Sequence, residues 1–128
     1  MFSHVVVGSN DIDRAQRFYD AVFGALGIAP GGRDDGKGRL YYRDAGGLYM
    51  VTRPINDAPA SFANGGTIGF SADNAAQVDA WYAAGLANGG ASCEGLPGLR
   101  EDGAGKRHLA YLRDPDGNKL CAVYWMAG

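Results

Sequence analysis

Short apolar runs, broken by glycine and by Asn or Asp, divide this chain into strand-like and helix-like pieces. His4 to Gly8 is a β-branched run, and the Asn10 and Asp11 that follow are good helix N-caps. Ala15, Phe18, Tyr19, Val22 and Phe23 then recur at the three- and four-residue spacing of one helix face. The pattern predicts a strand and then an amphipathic helix stopping near Gly24 to Gly27. Pro30 to Gly38 reads as a polar loop. Leu40 to Arg43 and Leu48 to Arg53, separated by Asp44-Ala45-Gly46-Gly47, read as a hairpin.

After a stretch rich in Pro, Ala and Asn, the same order returns. Thr67 to Ala72 is strand-like, Asp73 and Asn74 are cap residues, and Val78, Trp81, Tyr82, Gly85 and Leu86 form a second stripe. A shift of 63 positions lays Val5 on Ile68, Val7 on Phe70, Phe18 on Trp81, Tyr19 on Tyr82 and Gly27 on Gly90. Few of these are identities, but the residue classes agree. A strand around Ala91 to Glu94, a glycine-rich loop through Gly105, and strands Arg107 to Arg113 and Asn118 to Trp125 complete the second half, with Asp114-Pro115-Asp116-Gly117 as a tight turn. The expected fold class is α+β: tandem βαβββ modules forming a cupped mixed or antiparallel sheet. Module one is placed at about 2–53, the linker at 54–66 and module two at about 67–126 of one domain.

Strand alternation adds a pocket to this picture. Ile68 and Phe70 share one face of their strand and should pack on helices, whereas Thr67, Gly69 and Ser71 share a face that leaves room. His4, Val6 and Gly8 match that open face in the first strand. In the last strand Cys121, Val123 and Trp125 alternate with Leu120, Ala122 and Tyr124, and either set could face the cup.

Composition narrows the function classes. The chain has 128 residues, 46% of them hydrophobic, enough for one core without staples. Twelve basic residues against 14 acidic ones, with no basic run, argue against a nucleic-acid partner. No charged leader precedes the first apolar stretch and no run approaches a membrane span, so a soluble, cytoplasmic protein without a membrane partner is expected. Cys93 and Cys121 are expected to be free thiols. The glycine-rich segments at 31–39 and 102–106 lack the following helix or the Ser/Thr of a phosphate loop.

His4-Val5-Val6-Val7-Gly8-Ser9-Asn10-Asp11 leading into Arg17-Phe18-Tyr19, together with Arg113-Asp114-Pro115-Asp116-Gly117-Asn118-Lys119-Leu120, resembles the two ends of a vicinal oxygen chelate domain. This is the superfamily of glyoxalase, bleomycin-resistance and extradiol-dioxygenase proteins, and the resemblance covers nearly the whole chain. It implies a divalent metal held by one ligand from each of four strands, typically His, Glu or Gln, His and Glu. Here the first position falls on His4, which matches. The second falls near Met50 or Val51, with no Asp, Glu or Gln between Ala45 and Asn56; the third falls on Thr67 and the fourth on Cys121. Only His4 and Cys121 are candidate metal ligands, which is too few for a three- or four-ligand site.

The resemblance therefore implies a small-molecule-binding protein of the bleomycin-resistance type, a homodimer like many relatives, with no cofactor. His4, Thr67, Met50, Cys121, Tyr49, Arg53, His108 and Trp125 are the candidate pocket residues. Tyr41, Tyr124, Arg43 and Arg100 extend an aromatic wall and anion contact for a planar or carboxylated ligand. Two alternatives remain: a glyoxalase-type lyase or dioxygenase with a metal site rebuilt from His4, Cys121, His108 or a partner chain, and a non-catalytic dimerising or regulatory domain.

Overall fold

The computed structural model describes residues 1–126. The first half folds as β1 (His4–Gly8), α1 (Ile12–Ala25), β2 (Gly32–Asp34), β3 (Arg39–Asp44) and β4 (Gly47–Thr52). The second half folds as β5 (Ile68–Ser71), α2 (Ala75–Ala87), β6 (Ala91–Ser92), β7 (Gly98–Asp102), β8 (Gly105–Arg113) and β9 (Lys119–Trp125). One sheet has the order β1-β4-β3-β2 and the other β5-β9-β8-β6, with β7 also paired to β8. In each sheet the first strand runs parallel to the last, β1 with β4 and β5 with β9. This is the α+β arrangement of two mixed sheets that the repeat predicts.

Local chemistry sets the helix starts. The Asp11 side chain accepts from Arg14 N at 3.0 Å and that of Asn74 from Gln77 N at 2.8 Å, each satisfying an amide that has no partner within its helix. The two helices pack on each other and on the sheets. Phe18, Tyr19, Val22, Phe23 and Trp81 bury at this junction against Leu40, Val51, Leu112 and Leu120. Burying each such side chain contributes about 1.5–3 kcal/mol. Gly85 permits the close approach: a Cβ there would collide with Leu112 and sit 3.3 Å from both Phe18 and Val22.

Three expectations need correction. The polar loop predicted over Pro30 to Gly38 contains β2, an edge strand without apolar alternation, because its helix-side residue Arg33 bonds to Asp13 of α1 at 2.7 Å. The glycine-rich loop predicted before Gly105 contains β7, which pairs with the first half of a long β8. Leu86, assigned to the second helix's buried stripe, is 43% exposed, since Gly85 takes the contact position.

The turn between β8 and β9 joins the two halves of the chain. Buried Asp114 accepts from Tyr19 Oη at 2.5 Å, from Asn118 N and Nδ2 at 2.9 Å each, and from Asp116 N at 2.9 Å. Asn118 Nδ2 also donates to Gly8 O at 3.1 Å, and Asp116 accepts from Asn10 N and Arg14 Nη2, both at 2.9 Å. The Asp-Pro-Asp-Gly-Asn segment is thus a clasp holding the second sheet to the start of the first helix.

Candidate functional site

Residues paired across a ladder point to the same side of a sheet, so register decides which side chains share a face. In the first sheet His4, Val6 and Gly8 of β1 stand beside Leu48, Met50 and Thr52 of β4, and those beside Arg43, Tyr41 and Arg39 of β3. This face turns away from the helices, because the alternate residues Tyr42, Tyr49 and Val51 are in the core. In the second sheet Gly69 and Ser71 flank Cys121 and Val123, which flank Tyr111 and Leu109. Leu120, Ala122 and Tyr124 pack on the core side. The set left open by the sequence is therefore settled: Cys121, Val123 and Trp125 occupy the open face.

The open faces collect positive charge. Arg39, Arg43, Arg100, Arg107, Arg113 and Lys119 all stand on them by register, in a chain whose formal charge is -2. Arg107 lies 5.2 Å from the centroid of the Trp125 ring and makes a two-point pair with Asp102 at 2.9 and 3.2 Å. That pair holds the Asp102 carboxyl below its usual range. Lys119 lies 5.0 Å over Tyr111 and binds Glu94 at 2.9 Å. Among the described residues, no hydrogen bond or ion pair engages the Arg43 or Arg100 guanidinium. Arginine and aromatic planes side by side suit a flat ligand with a negative edge.

The eight sequence candidates do not assemble into one site. His4, Met50, Cys121 and Trp125 stand on the open faces, and Thr67 is an exposed residue immediately before β5. Tyr49 is buried and donates to Tyr19 Oη at 2.9 Å, since the single Tyr19 proton goes to Asp114. Burial raises the pKa of both tyrosines, which keeps the pair neutral. His108 points the other way, toward α2, where its Nε2 meets Asp79 Oδ1 at 2.8 Å. Arg53 lies beyond β4 and pairs with Asp57 at 3.3 Å. Arg107, Arg113, Lys119 and Tyr111 were not among the candidates; the alternation of Arg107, Leu109, Tyr111 and Arg113 along β8 carried that signal, but only register shows the face.

The donor set does not fit the metal that the family ligand pattern calls for. His4, Met50, Thr67 and Cys121 offer one imidazole and one thiol. Burial pushes the Cys121 thiol up to about 11, away from the thiolate a metal binds. Among the described residues, no group of three or more His, Cys, Asp or Glu is placed to hold an ion. No described helix is long and apolar enough to cross a membrane.

Comparison with known proteins agrees with this scaffold. The sequence model of the Glyoxalase/Bleomycin resistance protein/Dioxygenase superfamily matches residues 1–122. The crystal structure of a glyoxalase/bleomycin resistance protein from Albidiferax ferrireducens is similar at 52% identity and TM-score 0.93, over 97% of this chain and 98% of that one. Two more distant structures share the fold. A glyoxalase-related enzyme from Fulvimarina pelagi is 21% identical with TM-score 0.72, over 100% and 92% of the two chains. A lactoylglutathione lyase from Agrobacterium tumefaciens is 24% identical with TM-score 0.64, over 97% and 92%. No curated protein matches the chain. A family model spanning residues 1–122 and a 52% identical structure of nearly equal extent lead to one conclusion: the chain belongs to the Glyoxalase/Bleomycin resistance protein/Dioxygenase superfamily.

Proposed function

We propose that this protein binds a planar, anionic small molecule on the open faces of its two sheets, without a metal, as a homodimer. The observation that carries the reading is that Arg100, Arg107, Arg113 and Lys119 stand by register on the open face of the second sheet, with Arg107 over Trp125 and Lys119 over Tyr111, on a scaffold whose metal positions hold Met50, Thr67 and Cys121. The guanidinium planes supply hydrogen bonds to a carboxylate and the rings supply stacking area. Exposed Val6 and Trp125 on the same faces support their being covered, by ligand or by a second copy.

The first test is metal content of purified protein, with and without added Ni, Zn, Mn and Fe, alongside His4→Ala. The expected result is far less than one metal per chain in both. One metal per chain, lost in the variant, overturns the reading in favour of a rebuilt catalytic site. The second test uses indole fluorescence, because Trp125 is 53% exposed whereas Trp81 is fully buried. Benzoate and naphthoate are expected to quench Trp125, and Arg100→Ala to weaken that binding about tenfold, the scale of one charged hydrogen bond.

A further inference from the structure

β1 and β5 are the inner edges of the two sheets, and no backbone hydrogen bond joins them. No Cα of one lies within 8 Å of a Cα of the other. In a parallel ladder, alternate residues direct both backbone groups to the same neighbouring strand. Ser3 O accepts from Leu48 N at 3.2 Å and Ser9 N donates to Thr52 O at 2.9 Å, so the odd-numbered residues of β1 face β4. The amides and carbonyls of His4, Val6 and Gly8 therefore point at β5. Ala72 N donates to Val123 O at 2.8 Å, so by the same alternation Gly69 and Ser71 point at β1.

The two ends of this seam differ. At one end Asn118 Nδ2 occupies the Gly8 carbonyl. Since Val5 pairs with Tyr49 and its repeat partner Ile68 pairs with Leu120, the repeat counterpart of Asn118 is Gly47. Gly47 has no side chain, takes φ +141° and opens β4 in a pair with Asp44, so that four residues separate the paired Arg43 and Leu48 where the clasp has five between Arg113 and Lys119. The second clasp is missing, and a cavity of about 270 Å³ lies at that end, reached by Ser3, His4, Gly47, Gly69 and Ser71. Phe23, Tyr49 and Phe70, with ring centroids 5.0–5.3 Å apart, form its inner wall.

We propose that this seam is a second ligand site, distinct from the Arg100, Arg107 and Trp125 part of the open faces, for a one-ring planar heterocycle carrying adjacent N–H and C=O groups, a cyclic amide or imide. Backbone donors and acceptors from two edge strands face one gap and must be satisfied by water or by a ligand. A ring with alternating N–H and C=O edges meets both strands at once, and the aromatic wall takes its flat body. Arg43 and Asp44 both border the cavity, so its charge favours a neutral molecule. The volume exceeds the ~150 Å³ that encloses benzene and falls just below the range for drug-sized ligands.

The test is titration of the full ¹⁵N-labelled chain with uracil, followed by amide NMR, with benzoate as the open-face probe. Uracil is expected to shift the His4, Gly69 and Ser71 amides and leave the Trp125 indole in place. 1,3-Dimethyluracil, which lacks the N–H donors, is expected to bind at least tenfold more weakly. Ile28→Trp, which fills the cavity from the helix side, and replacement of residues 44–47 by the Asp114–Asn118 sequence are each expected to weaken uracil at least tenfold while benzoate still binds. Absence of shifts at millimolar uracil, shifts confined to Arg100, Arg107, Tyr111 and Trp125, or equal binding of the dimethyl compound overturns the proposal. Loss of benzoate binding alone overturns the open-face reading and leaves this one standing.

Discussion

Asp114→Ala removes the acceptor at the centre of the clasp, and the cost can be built from its contacts. Tyr19 Oη, donating at 2.5 Å inside the core, loses its partner, and leaving a buried hydroxyl unsatisfied costs about 1–3 kcal/mol. The donors on Asn118 and Asp116 lose theirs as well, at about 0.5–1.5 kcal/mol each where water replaces the carboxylate. Removing a carboxyl whose pKa is already raised by burial returns part of this. A net loss of about 3–5 kcal/mol follows, a large share of the 5–15 kcal/mol typical of a domain. With about 2.1 cal/mol/K per residue of unfolding entropy, 128 residues give about 0.27 kcal/mol/K, so Tm should fall by about 15 °C. Urea unfolding followed by circular dichroism, with the m-value checked for constancy, measures it. Asp114→Asn, which keeps one carbonyl acceptor, should lose about half as much. A double-mutant cycle with Tyr19→Phe should give a coupling of about 1.5–3 kcal/mol. A loss under about 1 kcal/mol for Asp114→Ala, or a coupling near zero, refutes the clasp.

Gly85→Ala should destabilise despite the better helix propensity of alanine: about 1 kcal/mol is gained, and overpacking against Leu112, Phe18 and Val22 costs about 1–3 kcal/mol, so a rise in Tm would contradict the packing. Cys121, its thiol raised by burial to about 11, should react with iodoacetamide far more slowly than an exposed thiol at pH 8 and accelerate toward pH 11. Because the unfolded thiol ionises first, near its ordinary value of 9.0, the stability Cys121 contributes should fall as pH rises from about 9 to 11; the gap to Cys121→Ala in urea midpoints across that window reads it, and a flat gap is the contrary result. His108→Ala should leave benzoate binding unchanged, since the imidazole faces Asp79 on α2; a tenfold loss would place it in the ligand site.

The division between what the sequence determines and what only the fold decides follows the range of the forces involved. Caps and stripes act within one helical turn, so Asp11, Asn74 and the series Phe18, Tyr19, Val22 and Phe23 announce the helices directly. The repeat, read at residue-class level, announces the paired modules and with them the α+β fold, and the resemblance of the His4–Asp11 and Arg113–Leu120 segments announces the family. The edge strands β2 and β7 are invisible to that reading because their pairing depends on a neighbour supplied by tertiary structure, not on apolar alternation. The site shows the same limit. Alternation says that Cys121 and Leu120 point to opposite sides; which side is open depends on where both helices settle. His108 looked like a pocket residue on a strand, yet its contact with α2 turns it to the core side, and Tyr49 also faces the core, where it walls the seam cavity from within. The clasp and its missing counterpart depend on residues more than a hundred positions apart, Gly8 and Asn118, brought together only when the two sheets dock.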